Sequence, residues 1–100
     1  MSEVLEIVRF TVHAGQREEF LAGRAAAIDA IGAAFPGLLD ARLAEHDDGS
    51  WSDVVRWRTR EQADRAAAEC TRLPAMRAWV AHIAEVREMT HAVVRHPESA

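Results

Sequence analysis

Ile7-Val8-Arg9-Phe10 returns later in the chain as Val54-Val55-Arg56-Trp57. Each copy sets one arginine in a β-branched and aromatic frame, which is strand composition. A helix-like pattern follows each copy shortly afterwards. The echo therefore divides the sequence into two strand–helix–strand halves and nearly dictates the fold.

Working outward from the first copy, Val4 to Val12 alternates as a strand and His13-Ala14-Gly15 turns the chain. A helix is expected from about Gln16, with Phe20, Ala27, Ile28, Ile31 and Phe35 on one stripe and Pro36-Gly37 closing it. Leu38 to Glu45 reads as the second strand. Asp47-Asp48-Gly49-Ser50 is a hairpin signal, because Asp-Gly tolerates the positive φ of a tight turn. The second copy lies in a strand from Trp51 to Arg58.

Thr59-Arg60-Glu61-Gln62 has the form of a capping box and starts a helix that runs to about Arg72. Pro74 suits the first turn of a further helical piece carrying Met76, Trp79, Val80 and Ile83. Strand alternation resumes from about Val86 to Val94. No linker or low-complexity tract interrupts residues 1–100, which read as one domain.

The order βαββαβ predicts an α+β, ferredoxin-like fold with an antiparallel sheet and the echoed strands at its centre. Two helices cover only one face of a four-stranded sheet. Val4, Val8, Phe10 and Val12, with Asp53, Val55 and Trp57, form the more apolar face and should lie beneath the helices. Leu5, Ile7 and Val54 lie on the other face, with Arg9 and Arg56, and would leave apolar surface bare on a monomer. A homodimer covering that face is expected, with Arg9 and Arg56 setting its register or pairing with acids.

Composition excludes several classes. Hydrophobic residues at 49% and charged residues at 28% describe a globular chain. A net charge of -4 with scattered arginines argues against a nucleic-acid partner. The lone Cys70 forms no internal disulfide and suits a reducing cytoplasm. Neither a signal peptide nor an apolar run of spanning length is visible, so no membrane partner is expected. His13, His46, His82, His91 and His96 form no metal-binding spacing with each other or Cys70, and no glycine-rich phosphate loop occurs. No metal and no cofactor are expected.

Several stretches together resemble a known family. They are Ile7 to Val12, Gly15, Glu18-Glu19-Phe20, Pro36-Gly37-Leu38 and Trp57-Arg58-Thr59-Arg60-Glu61-Gln62-Ala63. In this order, over nearly the whole chain, they resemble the antibiotic biosynthesis monooxygenase domain. The resemblance implies a dimeric α+β barrel with a pocket in each subunit between sheet and helices. Some members oxidise polyketide phenols or anthrones with molecular oxygen and no cofactor; others degrade haem. The haem-degrading branch carries an asparagine in the first strand, where this chain has Val8. In the cofactor-free oxygenases an amide stands four residues before a tryptophan; Trp57 matches the tryptophan, and the amide position holds Asp53. Arg77 matches an arginine lining their pocket.

Asp53, on the apolar face, is a candidate proton acceptor if desolvated, or a strand-end aspartate paired with an arginine. Trp57 stacks on a flat substrate or fills the core. Arg77 stabilises an anion or stays exposed on its helix, as Met76 and Trp79 define a stripe it only borders. Trp79 is a further candidate substrate contact, with His82 at the pocket edge or the surface. Arg24 sits on the first helix's stripe between Phe20 and Ile28, facing the pocket or pairing with Asp53 or Glu6.

Two functions follow. One is a cofactor-independent monooxygenase acting on a polycyclic aromatic small molecule. The other is a non-catalytic dimeric barrel that binds a small ligand, with a cyclase or isomerase using the same pocket between them.

Overall fold

The computed structural model describes residues 2–98. Strands β1 (Val4–Val12), β2 (Leu38–Glu45), β3 (Trp51–Trp57) and β4 (Ile83–Val93) form one antiparallel sheet in the order β2-β3-β1-β4. Helices α1 (Arg17–Ala34), α2 (Arg60–Glu69) and α3 (Pro74–Val80) cover one face, and a 3-10 turn at Cys70–Arg72 joins the last two. The fold is ferredoxin-like. The echoed strands are central neighbours, with Ile7 opposite Val54, Val8 opposite Asp53 and Val4 opposite Trp57.

That register places Val4, Phe10, Trp51, Val55 and Trp57 beneath the helices, where all are buried. Two packed clusters result. One joins Ile31 of α1 and Phe35 just past its end to Val55, Trp57 and the small Ala63 and Ala66 of α2. The other centres on Phe20, which stacks on Trp79 at 4.8 Å between centroids and meets Trp51 edge-on at 5.0 Å. On the opposite face Leu5, Ile7 and Val54 are half-buried rather than bare, beside Arg56, which pairs with Glu3 at 2.8 Å.

Local chemistry explains the connections. In the β2–β3 hairpin Gly49 adopts φ +85°, and the Asp48 carboxylate accepts from the Ser50 N–H at 2.9 Å and hydroxyl at 2.6 Å. These bonds hold the Asp48 carboxyl below the usual carboxylate range. Thr59 caps α2 by accepting from the Gln62 N–H at 3.2 Å. The reciprocal half of the capping box does not form, because the Gln62 side chain packs over Gly37 and its carbonyl oxygen is buried without a partner.

Strand β4 begins at Ile83, earlier than the sequence pattern predicts. Ile83 continues the helical spacing of Trp79 and Val80 but belongs to the sheet. The His13 N–H donates to the His82 carbonyl at 2.9 Å, drawing the chain into register with Val12 opposite Ile83. Irregularities after Arg9 and Thr11 absorb the offset.

Gly37 is required by close approach. A Cβ there would collide with the Gln62 amide and stand 2.9 Å from the Gln62 Cβ, while the Gly37 carbonyl accepts from the Arg58 N–H at 2.8 Å. Gly37→Ala should destabilise the fold by about 1–3 kcal/mol in urea unfolding. Adding Gln62→Ala should recover only part of the loss, since the Gln62 Cβ remains.

Candidate active site

Between the two packed clusters lies a cavity of about 240 Å³, bounded by the sheet on one side and the helices on the other. Its walls are mostly apolar, with Val8, Ile28, Val55 and Met76 among them, and the exposed Val86 and Met89 of β4 stand on its rim. The size is slightly below the ~300–1,000 Å³ of sites for drug-sized ligands. Glu6, Arg24 and Asp53 also line it.

Arg24 reaches inward from the α1 stripe because Phe20 and Ile28, one turn to either side, point the same way. Its guanidinium grips both oxygens of Asp53, at 2.6 and 2.7 Å. The side chains are only 15% and 10% exposed, so this pair is largely desolvated. The Trp79 ring lies 5.0 Å from the Arg24 guanidinium carbon and forms a second restraint. Trp79 is itself fixed: its indole N–H donates to the Phe20 carbonyl at 2.9 Å and its ring stacks on Phe20. It is a wall that holds Arg24, with little freedom to stack on a ligand.

The sequence offers Glu6 as a possible partner for Arg24, a place that Asp53 takes. It occupies an inward position of β1 between Val4 and Val8, opposite Val55 on β3 and His91 on β4. Burial raises its pKa above the ordinary 4.5, and the Asp53 charge adds to this. His91 opposes the rise, with Nε2 lying 3.4 Å from a Glu6 oxygen and both side chains 13% exposed. The Trp57 indole N–H also favours the anion, yet stops short of hydrogen-bond geometry. Both Trp57 Nε1 and His91 Nε2 are buried without a hydrogen-bond partner. The Cys70 thiol, also lining the cavity, is pushed up by burial first and by the Glu6 charge second.

The structure thus brings Asp53, Arg24, Trp57 and Trp79 together around one cavity. Arg77 and His82 stand apart. Met76, Trp79 and Val80 claim the inward side of α3, which turns Arg77 to solvent, where it donates to the Thr71 carbonyl at 3.3 Å. His82 lies past the helix end, with Nδ1 2.8 Å from the Gln16 side-chain oxygen. Glu6 and His91 are the residues that sequence reasoning missed. The signal was a lone carboxylate on the apolar face of an alternating strand. Among the described residues no group of three His, Cys, Asp or Glu side chains is arranged to hold a metal ion.

Because the fold favours neutral Glu6, its contribution to stability is full below the ordinary glutamate value of 4.5 and is lost as pH rises through the raised value. Glu6→Gln should therefore melt at a higher temperature than the parent chain at neutral pH. The gap should close on acidification, as followed by circular dichroism across a pH series.

The Antibiotic biosynthesis monooxygenase family matches residues 4–82 of the chain by its sequence profile. No curated protein matches. Among solved structures, SnoaB, a cofactor-independent oxygenase from Streptomyces nogalater, is 26% identical with a TM-score of 0.68, the match covering 99% of this chain and 97% of that one. Rv0793 from Mycobacterium tuberculosis is 25% identical at TM-score 0.62 and 99% coverage of both chains. MupZ from Pseudomonas fluorescens shares the fold alone, at 13% identity and TM-score 0.73, covering 91% of this chain and 71% of that one. With most of its length matched by the profile, and with the sheet, helices and cavity described above, the chain belongs to the antibiotic biosynthesis monooxygenase family.

Proposed function

We propose that this chain is a cofactor-independent monooxygenase acting on a flat, electron-rich aromatic molecule of the polycyclic phenol or anthrone type. The observation that carries this reading is the apolar cavity with one guanidinium held at its wall by Asp53 and Trp79. Apolar walls favour a ring system, and Trp57 offers an aromatic surface to it. A preorganised cation stabilises negative charge more in a desolvated site than in water. The two Arg24 nitrogens that hold Asp53 keep the group in place; its remaining N–H groups serve the substrate anion.

The chemistry balances without an outside reductant. A benzylic C–H bond breaks, the proton leaves, and the electron pair spreads into the rings. The resulting anion passes one electron to O2, and the substrate radical combines with superoxide to form a C–O bond. The peroxide takes up the released proton. The O–O bond then breaks as the second C–H proton departs, giving a ketone and water. A CH2 group and O2 thus become C=O and H2O. Arg24 stabilises first the carbanion and then the peroxide anion.

We also propose a homodimer that buries the helix-free face, supported by the apolar surface that Leu5, Ile7 and Val54 still leave partly exposed there. The lone Cys70 is compatible with a reducing cytoplasm as the site of action. Among the described residues no helix is long and apolar enough to cross a membrane.

Purified, chelator-treated protein should consume oxygen with an anthrone or hydroquinone. Removing Arg24 alone would strand a buried carboxylate at a cost of about 3–5 kcal/mol, so the cleaner variant is Arg24→Met with Asp53→Leu. It should fold and lose roughly 100- to 1,000-fold in turnover. Absence of uptake by the parent chain, or equal uptake by the double variant, rejects the assignment. Light scattering during size-exclusion chromatography should report twice the 11.1 kDa chain mass; a stable monomer would contradict the dimer.

A further inference from the structure

We propose that Glu6 is the proton acceptor of the cavity, acting on a weak carbon acid flanked by aromatic rings, with His91 as its positioning residue. This deepens the oxygenase reading and rests on its taking the cavity as a substrate site.

Two carboxylates line the cavity, and their surroundings differ. Both oxygens of Asp53 are taken by Arg24 at 2.6 and 2.7 Å, so a proton could reach it only by breaking a desolvated ion pair. Glu6 is enclosed, yet neither Trp57 nor His91 closes a full hydrogen bond onto it. The two nitrogens beside it, Trp57 Nε1 and His91 Nε2, are themselves buried and unpartnered. Unsatisfied polar atoms are uncommon in interiors, and two around one carboxylate at a cavity wall indicate a position where a ligand completes the bonding.

The groups facing Glu6 come from every element packed around it. His91 lies on β4, Asp53 and Trp57 on β3, and Cys70 in the turn after α2; Arg24 shares the cavity from α1. Desolvation, with Asp53 and against His91, lifts the carboxyl above its ordinary value. The same environment makes Glu6 a stronger base than a solvated glutamate.

In the proton step the substrate C–H bond breaks and an O–H bond forms on Glu6. The electron pair stays on carbon and spreads into the adjoining rings. The Arg24 cation, in the same cavity, faces the charge so created. His91, 3.4 Å from Glu6 without a hydrogen bond to it, tunes its basicity through charge.

Anaerobic exchange isolates this step, since it needs no oxygen. With anthrone as the probe in D2O, the chain should speed the loss of the methylene proton signal in NMR. Glu6→Gln should reduce the catalysed rate about 100- to 10,000-fold. Glu6→Asp, which keeps the carboxylate one methylene shorter, should retain measurable exchange. His91→Gln should keep the catalysed exchange and move the acid limb of its pH profile upward, because the charge that lowers the Glu6 value is gone. Exchange by Glu6→Gln at the parent rate, or no exchange above buffer by the parent chain, overturns the proposal. Exchange by the parent chain that is lost in Glu6→Gln, without oxygen uptake by either, supports Glu6 and removes the oxygenase reading. Oxygen uptake that survives Glu6→Gln removes Glu6 and leaves the oxygenase.

Discussion

The antiparallel register of β1 against β3 governs which side chains enter the cavity. With Val8 opposite Asp53 and Glu6 opposite Val55, the period of two places both acids on the face beneath the helices. A slip of one residue would expose Phe10, Trp51 and Trp57 and bring Arg9 and Arg56 inside. Burial of those three aromatics therefore specifies the register. The desolvation of Glu6 and Asp53 is a consequence of that packing and not of any local preference for burial. Function and stability are linked at this point, because the hydrophobic effect holds two carboxylates where neither would settle alone.

Arg24 then separates the two acids. An isolated buried carboxylate is costly, and a bidentate guanidinium offsets that cost for Asp53 with strong, charge-assisted bonds. The same fork is unable to serve Glu6, which is left with an imidazole and an indole N–H that do not close onto it. Asp53 is committed by geometry to orienting a cation. Glu6 retains free oxygens and a raised affinity for protons. Two carboxylates in one cavity thus acquire different chemistry from their neighbours.

The fold was largely legible because its signals are local and repeated. The strand echo, the Asp48-Gly49 hairpin and the Thr59 cap each specify structure within a few residues, and each is present. The strand start at Ile83 was not legible, since its side chain fits a helical stripe and only pairing with Val12 decides the matter. Likewise, Arg24 stood out as a charge on an apolar stripe, but its partner depended on distance between elements. Glu6 is not legible in the same way, because the alternation of β1 is carried by its apolar residues. Its significance arises from His91, which follows it by most of the chain length and meets it only across β1 and β4.

The exposed edge of the cavity bears on how such a site could work. Val86 and Met89 are 55% and 48% exposed and stand on the rim, on the edge strand β4. His91 belongs to the same strand, so a shift of β4 would move the Glu6 partner and the entrance together. The irregularities between β1 and β4 after Arg9 and Thr11 fall beside Val86 and Ile83, where the ladder is least regular. Glu6 on β1 and Asp53 on β3 both lie on strands paired on both sides; what differs is the partner, a cation locked by Trp79 for Asp53 and an edge-strand imidazole for Glu6. In the proposed reading, the anion-stabilising group is fixed by aromatic packing, while the partner of the proton acceptor belongs to the strand that carries the cavity rim.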